Sequence, residues 1–339
     1  MNVLLEKLYA GQPLTMAETK SIFADIFAGK LDPLVFSSLL TALKMNGYTA
    51  DEIGGAATAM LEAAEPFERD PSVNAGEIVG TGGDRLATIN ISTMAGLVCG
   101  ALGLKVAKHG NTAVSSKAGA SDMLSVLGYN IRCDQKLSRI NLEQHGFAFL
   151  FAQFYHKGMR FAAPVRKALG TSTIFNILGP LTNPAHVGYE LMGCYDPKLL
   201  NMLAKALHLT GVKRAMVING NGMDEISIFG TTKYSEIFPD GHTEDGELTP
   251  QDFGIKGTFN QDDLKGGTAE ENAEVAKAVL SGKGKPAHNA VVAANAAAML
   301  RLAGAEDSLA RGYEMAMDSM ASGKPYEVLQ KVCAVSRGE

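Results

Sequence analysis

Gly80-Thr81-Gly82-Gly83-Asp84 places three glycines in four positions directly after the short apolar run Glu77-Ile78-Val79. Glycine can take positive φ and bring its backbone close to an anion, with N–H groups turned toward it. A loop of this kind after a strand suits phosphate binding. Two common phosphate motifs are nevertheless absent: Arg85 stands where G-x-G-x-x-G requires its third glycine, and no Gly-Lys-Ser/Thr follows. By itself a glycine cluster is most often a turn.

Further segments add to it. Asn90-Ile91-Ser92-Thr93 opens an apolar, helix-like run to Leu102. Its hydroxyls and amide can cap that helix. The same helix end, with unpaired N–H groups and the positive end of the dipole, also attracts anions. Lys108-His109-Gly110-Asn111 ends a short strand at 104–107 and leads toward Ser115-Ser116-Lys117. A single Lys-His pair is ordinarily solvated surface, but three such loops at successive strand ends make a polyanion pocket. Asp224 and Glu225 follow Gly222-Met223 in the loop after the strand around Val217. If they face the phosphate loops, they suit Mg²⁺, which takes hard oxygen ligands and shares them with substrate phosphates. Arg166, after Pro164-Val165, can fork onto a carboxylate, although a surface arginine on a helix is the plainer reading. The run from Thr173 to Pro184 is punctuated by Gly179, Pro180 and Pro184.

The elements that position these loops follow from local pattern. The first 65 or so residues read as helices. Thr15 with Glu18, and Thr49 with Glu52, are capping-box signatures, each followed by apolar residues at helical spacing. Asp32-Pro33 opens a third segment toward Gly47, with Leu34, Leu39, Leu40 and Leu43 expected on one face. From Gly76 onward short strands alternate with helices: strands at 77–79, 104–107, 129–131, 148–151, 189–194 and 214–219, helices at 92–102, 122–127 and 199–207. Such alternation predicts a mostly parallel sheet with helices on both faces and ligands at the carboxyl ends of its strands. From Ala269 the tail is again helical.

Composition narrows the function classes. The chain has 339 residues, 46% hydrophobic and 20% charged, enough for two domains with a buried core. A net charge of −5 with scattered Lys and Arg excludes a nucleic-acid stripe or a polybasic membrane anchor. Cys99, Cys133, Cys194 and Cys333 are far apart, as reduced cytosolic thiols would be. No signal peptide or membrane span is expected, and the expected location is the cytoplasm.

Taken together, 80–84, 90–93, 108–111, 224–225 and 173–184 resemble the anthranilate phosphoribosyltransferases, in order and spacing over nearly the whole chain. The resemblance implies an α/β fold with a small N-terminal helical domain, 1–70, joined in space by roughly 165–187. A larger α/β domain, 73–164 and 188–339, has a mostly parallel central sheet with flanking helices. It also implies a homodimer through the helical part, no nucleic-acid or membrane partner, and Mg²⁺ as cofactor. The implied phosphoribosyl pyrophosphate (PRPP) site comprises Gly80, Gly82, Gly83, Asp84, Thr88, Asn90, Ile91, Ser92, Thr93, Lys108, His109, Gly110, Asn111, Ser115, Ser116 and Ala120. Anthranilate is expected against Gly80, Asn111, Arg166, His109 and His156, and the metal on Ser92, Asp224 and Glu225. No nucleophile or general base is implied.

The chain departs from the family where Arg85 replaces Gly, Thr112 and Ser172 replace Arg, and Ala118 and Ala120 replace Ser. Ala120 cannot offer a hydroxyl to a phosphate and Thr112 lacks the cation; Arg85 is a candidate replacement for that charge. Two rival readings are a pyrimidine nucleoside phosphorylase of the same architecture and a non-catalytic relative that binds nucleic acid. The 224–225 pair and the 173–184 run favour the transferase over the first, and the acidic net charge speaks against the second.

Overall fold

The structure, a computed structural model, describes residues 2–84, 86–112 and 118–339. Helices α1 (Asn2–Tyr9), α2 (Met16–Phe27), α3 (Pro33–Asn46) and α4 (Ala50–Glu62) come first. Both capping boxes form: Thr15 and Thr49 accept from the backbone N–H of Glu18 and Glu52, whose carboxylates accept in return. Asp32 caps α3 by accepting from Leu34 and Val35. Leu39, Leu40 and Leu43 are buried as expected, but Leu34 is 81% exposed. Five residues before Leu39 is about 140° around a helix, so Phe36, not Leu34, completes the buried stripe.

The α/β part runs β1 (Ala75–Gly80), α5 (Ile91–Ala101), β2 (Lys105–Gly110), α6 (Ala120–Val126), α7 (Gln135–His145), β3 (Phe147–Phe151), α8 (Ala152–Tyr155), α9 (Met159–Leu169) and α10 (Phe175–Leu178). It continues with β4 (Tyr189–Gly193), α11 (Leu200–Leu209), β5 (Arg214–Gly220), β6 (Thr232–Ile237) and β7 (Thr243–Leu248), then α12 (Ala269–Leu280), α13 (Pro286–Leu302), α14 (Leu309–Ser322) and α15 (Lys324–Ser336). Among the described residues the sheet has the order β3-β2-β1-β4-β5-β6-β7. The first five strands are parallel, and β6 and β7 are antiparallel.

Two elements differ from the sequence expectation. Residues 129–131 form a turn rather than a strand: Gly128 has φ +90°, and Asn130 folds its carbonyl back onto the Arg132 N–H. The β6–β7 pair has no counterpart among the sequence-derived elements. It closes through Phe238-Pro239-Asp240-Gly241-His242, with Gly241 at φ +86°.

Because both faces of its parallel part are covered, strands β1 to β5 are largely buried, and their alternate residues serve different cores. Ile78, Val106, Phe147, Phe149, Leu191 and Met216 pack with α5 and α12 to α15. Ala75, Ala107, Ala148, Leu150, Met192 and Val217 pack with α11 and the N-terminal helices. No helix among the described residues is long and apolar enough to cross a membrane. The four cysteines are free.

Glu52 joins the helices to one another: besides capping α4 it accepts the buried Leu14 N–H at 3.0 Å. Glu52→Ala removes a cap and orphans a buried donor, so chemical denaturation should show a loss of about 2–4 kcal/mol. An unchanged midpoint would contradict this.

Candidate active site

The predicted loops meet at the carboxyl ends of β1, β2 and β5. Gly82 and Gly83 take φ of +65° and +86°, which turns the loop after β1 back over the sheet. The Gly82 N–H donates to Asp224 Oδ2 at 2.8 Å. At the start of α5 the Ser92 N–H donates to Glu225 Oε1 at 3.2 Å. Lys108 Nζ donates to the Ile78 carbonyl at 2.8 Å and to Ser92 Oγ at 3.1 Å. Thus the glycine loop, the α5 N-terminus and the end of β2 converge with the 224–225 pair, which lies more than a hundred residues further along the chain.

Three glycines permit this approach. A Cβ at Gly80 would overlap the Asp224 carboxylate, one at Gly193 the Asp224 carbonyl, and one at Gly220 the Glu225 carbonyl. Asn219 fixes the same turn, donating to the Cys194 and Tyr195 carbonyls and accepting from Gly222.

The site is crowded with negative charge. Burial pushes the Asp224 carboxyl up to about 6, with repulsion from Asp84 adding to it. Glu225 goes well above the usual carboxylate range, by burial and by repulsion from Asp224. Burial lowers Lys108, against the pull of surrounding carboxylates. One buried lysine faces Asp224 and Glu225, with Asp84 repelling both carboxylates, an imbalance that a small hard cation relieves. Among the described residues no three His, Cys, Asp or Glu side chains form a metal cluster on their own. The Asp224 and Glu225 carboxylates and the Ser92 hydroxyl are hard oxygen donors of the kind that Mg²⁺ takes.

The other predicted residues are distributed around this centre. Asp84 accepts from the Leu86 N–H, and Thr88 bridges to Lys265. Asn90 accepts from Asn272 at 2.9 Å and donates to the Ala118 carbonyl. Ile91 is a core residue whose N–H is taken by the Ile89 carbonyl. Thr93 is buried, with its hydroxyl unpartnered among the described residues. Gly110 ends β2 against Phe149, Asn111 is exposed and bonded to Thr112 and Gln153, and Ala120 opens α6. Ser115, Ser116 and Arg85 lie outside the described residues.

Lys108 and His109 are neighbours on β2 and so point to opposite faces. The His109 ring meets His156 edge-on, with centroids 5.0 Å apart, and its Nδ1 lies 3.3 Å from the Gly179 carbonyl. His156 Nε2 lies 3.0 Å from the Thr182 carbonyl. Burial lowers both imidazoles, His156 to about 4, so both are neutral near pH 7.

Arg166 does not join the 224–225 cluster. It lies 5.1 Å above the Phe175 ring and lines a cleft of about 390 Å³ with Lys167, Gly170, Ser172 and Asn176. It is half-buried, and no carboxylate pairs with it among the described residues. Its link to the centre is the 173–183 run, which passes from Phe175 to the carbonyls beneath His109 and His156.

Sequence reasoning missed Glu77, Glu190 and Asn183, all buried beside His109. The available signal was an acidic residue inside each of two apolar strands, Gly76-Glu77-Ile78 and Tyr189-Glu190-Leu191.

Comparison with known proteins agrees with this arrangement. Residues 2–64 match the helical bundle domain, and residues 73–326 the a/b domain, of a glycosyl transferase family. An anthranilate phosphoribosyltransferase from Tolumonas auensis is 47% identical over 339 residues, covering 100% of both chains. One from Vibrio parahaemolyticus is 47% identical, covering 98% of this chain and 99% of its own. Among solved structures, that enzyme from Thermus thermophilus superposes with a TM-score of 0.91 at 38% identity, covering 98% of this chain and 99% of its own. The Saccharomyces cerevisiae enzyme in complex with PRPP and Mg gives 0.89 at 29% identity, covering 99% and 97%.

The low value at His156 has a consequence for stability. Above its ordinary 6.5 neither folded nor unfolded chain protonates this ring. Between 6.5 and about 4 only the unfolded chain does, so stability falls as pH falls through that window. The full shift amounts to about 3 kcal/mol. The stability–pH curve of His156→Gln should lack this part of the acid slope; parallel curves for the two proteins would refute the assignment.

Proposed function

The chain belongs to the anthranilate phosphoribosyltransferase family, and we infer that it transfers the phosphoribosyl group of PRPP to the amine of anthranilate. The products are N-(5-phosphoribosyl)anthranilate and pyrophosphate, the second step of tryptophan synthesis from chorismate. The observation that carries this reading is that two anion-binding amides, Gly82 and Ser92, converge with a buried lysine on a carboxylate pair.

In the reaction a C–N bond forms between the amine and ribose C1 while the bond from C1 to the pyrophosphate oxygen breaks. Positive charge develops on the sugar and negative charge on the leaving group. The N–H groups of the 80–84 loop, the α5 N-terminus at 90–93 and Lys108 stabilise the departing diphosphate by fixed, pre-aligned dipoles and charge. Asp224, Glu225 and Ser92 would hold Mg²⁺, which when bound would supply Lewis-acid neutralisation of the same group. Thr88, Gly110, Asn111 and Ala120 border the phosphoribosyl unit.

Arg166 supplies the carboxylate clamp for anthranilate: a half-buried guanidinium over an aromatic ring, without an acidic partner among the described residues, matches an aryl carboxylate. Asn111, with neutral His109 and His156, lines the approach to C1 and lowers the entropy cost of encounter. The aryl amine is uncharged near neutral pH, so its proton leaves after attack without a dedicated base.

The helical part is assigned to a homodimer interface, supported by Val3, Tyr9, Leu34 and Met45, large apolar side chains exposed on α1 and α3. Free cysteines fit a cytoplasmic location. The proposed domain division is 1–70 with 165–187, against 73–164 with 188–339.

Incubating the protein with anthranilate, PRPP and Mg²⁺ should abolish anthranilate fluorescence, and omitting the metal should stop the loss. Persistence of the signal in the complete mixture would refute the activity. Asp224→Ala combined with Glu225→Ala should lower kcat at least ~100-fold with unchanged circular dichroism; full activity would refute the metal assignment. Arg166→Ala should raise KM for anthranilate ~10–100-fold, the loss of a charge-assisted hydrogen bond. An effect confined to PRPP would contradict its role.

A further inference from the structure

Strands β1 and β2 pair only at their first residues, Ala75 with Lys105 and Gly76 with Val106. Beyond that point each keeps its outer partner: β1 stays with β4 to Gly80, and β2 stays with β3 to Gly110. The sheet forks. Backbone groups along the opening are taken by side chains instead. Lys108 Nζ donates to the Ile78 carbonyl at 2.8 Å, the His109 N–H donates to Glu77 Oε1 at 2.7 Å, and Asn183 Nδ2 donates to the Ala107 carbonyl at 2.7 Å.

Glu77 is the centre of the fork. It is fully buried, and Asn183 Nδ2 donates to its second oxygen at 2.6 Å. The Asn183 amide has only one workable orientation, because its Oδ1 accepts the Ala185 N–H at 2.9 Å. Both Glu77 oxygens therefore face donors, which oppose the upward push of burial, and on balance burial raises this carboxyl to about 8. Directly beside it in register on β4 lies Glu190, equally buried, with Oε1 unpartnered among the described residues. Two adjacent buried carboxylates cannot both ionise. Lys108, His109 and Glu190 are the titratable groups around Glu77. Burial, with repulsion from Glu77 adding to it, raises Glu190 well above the carboxylate range, while its donors hold Glu77 lower, so Glu77 is the first of the pair to ionise.

We propose that Glu77, with Asn183 and Glu190 beside it, is a positioning residue for both substrates. It holds open the fork from which Lys108 and His109 extend to opposite faces of β2. Lys108 reaches Ser92 on one side, and His109 reaches Gly179 and His156 on the other. One buried carboxylate thereby sets the distance between the diphosphate site and the aryl-amine site. The inference rests on the transferase reading above.

The test uses steady-state kinetics of the full-length protein. Inactive wild type would refute the transferase reading itself and, with it, the premise of this proposal. With active wild type, Glu77→Ala should raise KM for PRPP and for anthranilate together, each ~10-fold or more. A role in folding alone would lower the active fraction and leave both KM values in place, and that result overturns the proposal. Glu77→Gln, nearly isosteric, turns an N–H₂ against Asn183 or His109 and should reproduce the joint KM effect. Its failure to fold would also overturn the proposal in favour of a structural role. Glu190→Gln, the amide image of a neutral acid, should keep both KM values within ~2-fold; a joint rise there would overturn the proton assignment.

Discussion

The absence of side chains at the ends of β1, β4 and β5 is the constraint on which the site depends. Gly80, Gly193 and Gly220 leave room for the 224–225 turn to lie directly on the sheet, where any Cβ would overlap it. That contact brings the two carboxylates to the glycine loop and to the α5 N-terminus. The same place is the one predicted for ligands in open parallel sheets, where β1 sits between strands added on either side. Close backbone approach and topology select one location.

Electrostatically the location is unfavourable for an empty protein. Asp84, Asp224 and Glu225 repel one another, burial raises the last two, and burial lowers the single lysine that faces those two. The backbone N–H groups of Gly82 and Ser92 compensate by bonding to carboxylate oxygens. The same two amides that hold these carboxylates are the ones suited to a phosphate. A cation and a polyanion arriving together would neutralise the carboxylates and take up the amides, so the crowding favours joint occupancy over either ligand alone. Local conflict of this kind is expected where function, not stability, set the residues.

Much of this was legible in the sequence because the signals are local. The capping boxes at Thr15 and Thr49 need only four residues each, and the 80–84 loop announces its positive φ through composition. The meeting of Ser92, Lys108 and Glu225 followed from placing each at a strand end of a parallel sheet. What escaped depends on neighbours distant in the chain. Glu77 and Glu190 look like ordinary strand residues until register sets them side by side. Leu34 misled because apolar character was counted without the 100° step. The β6–β7 hairpin was hidden by polar, one-sided strands, since Thr243–Leu248 is a largely exposed edge. Arg166 was expected with the other ligand residues, yet its cleft reaches them only through the 173–183 run.

The placement of two different sites on one strand follows from the alternation of side chains. Successive residues of β2 face opposite sides of the sheet, so Lys108 enters the charged pocket beside Ser92 while His109 enters the apolar wall beside His156. A polyanion and an aromatic ring want opposite environments, one rich in N–H donors and the other dry. The two faces of a single strand offer both kinds of environment within one residue of chain. Because the strand itself is the spacer, the separation between the two environments is as rigid as the sheet that holds it.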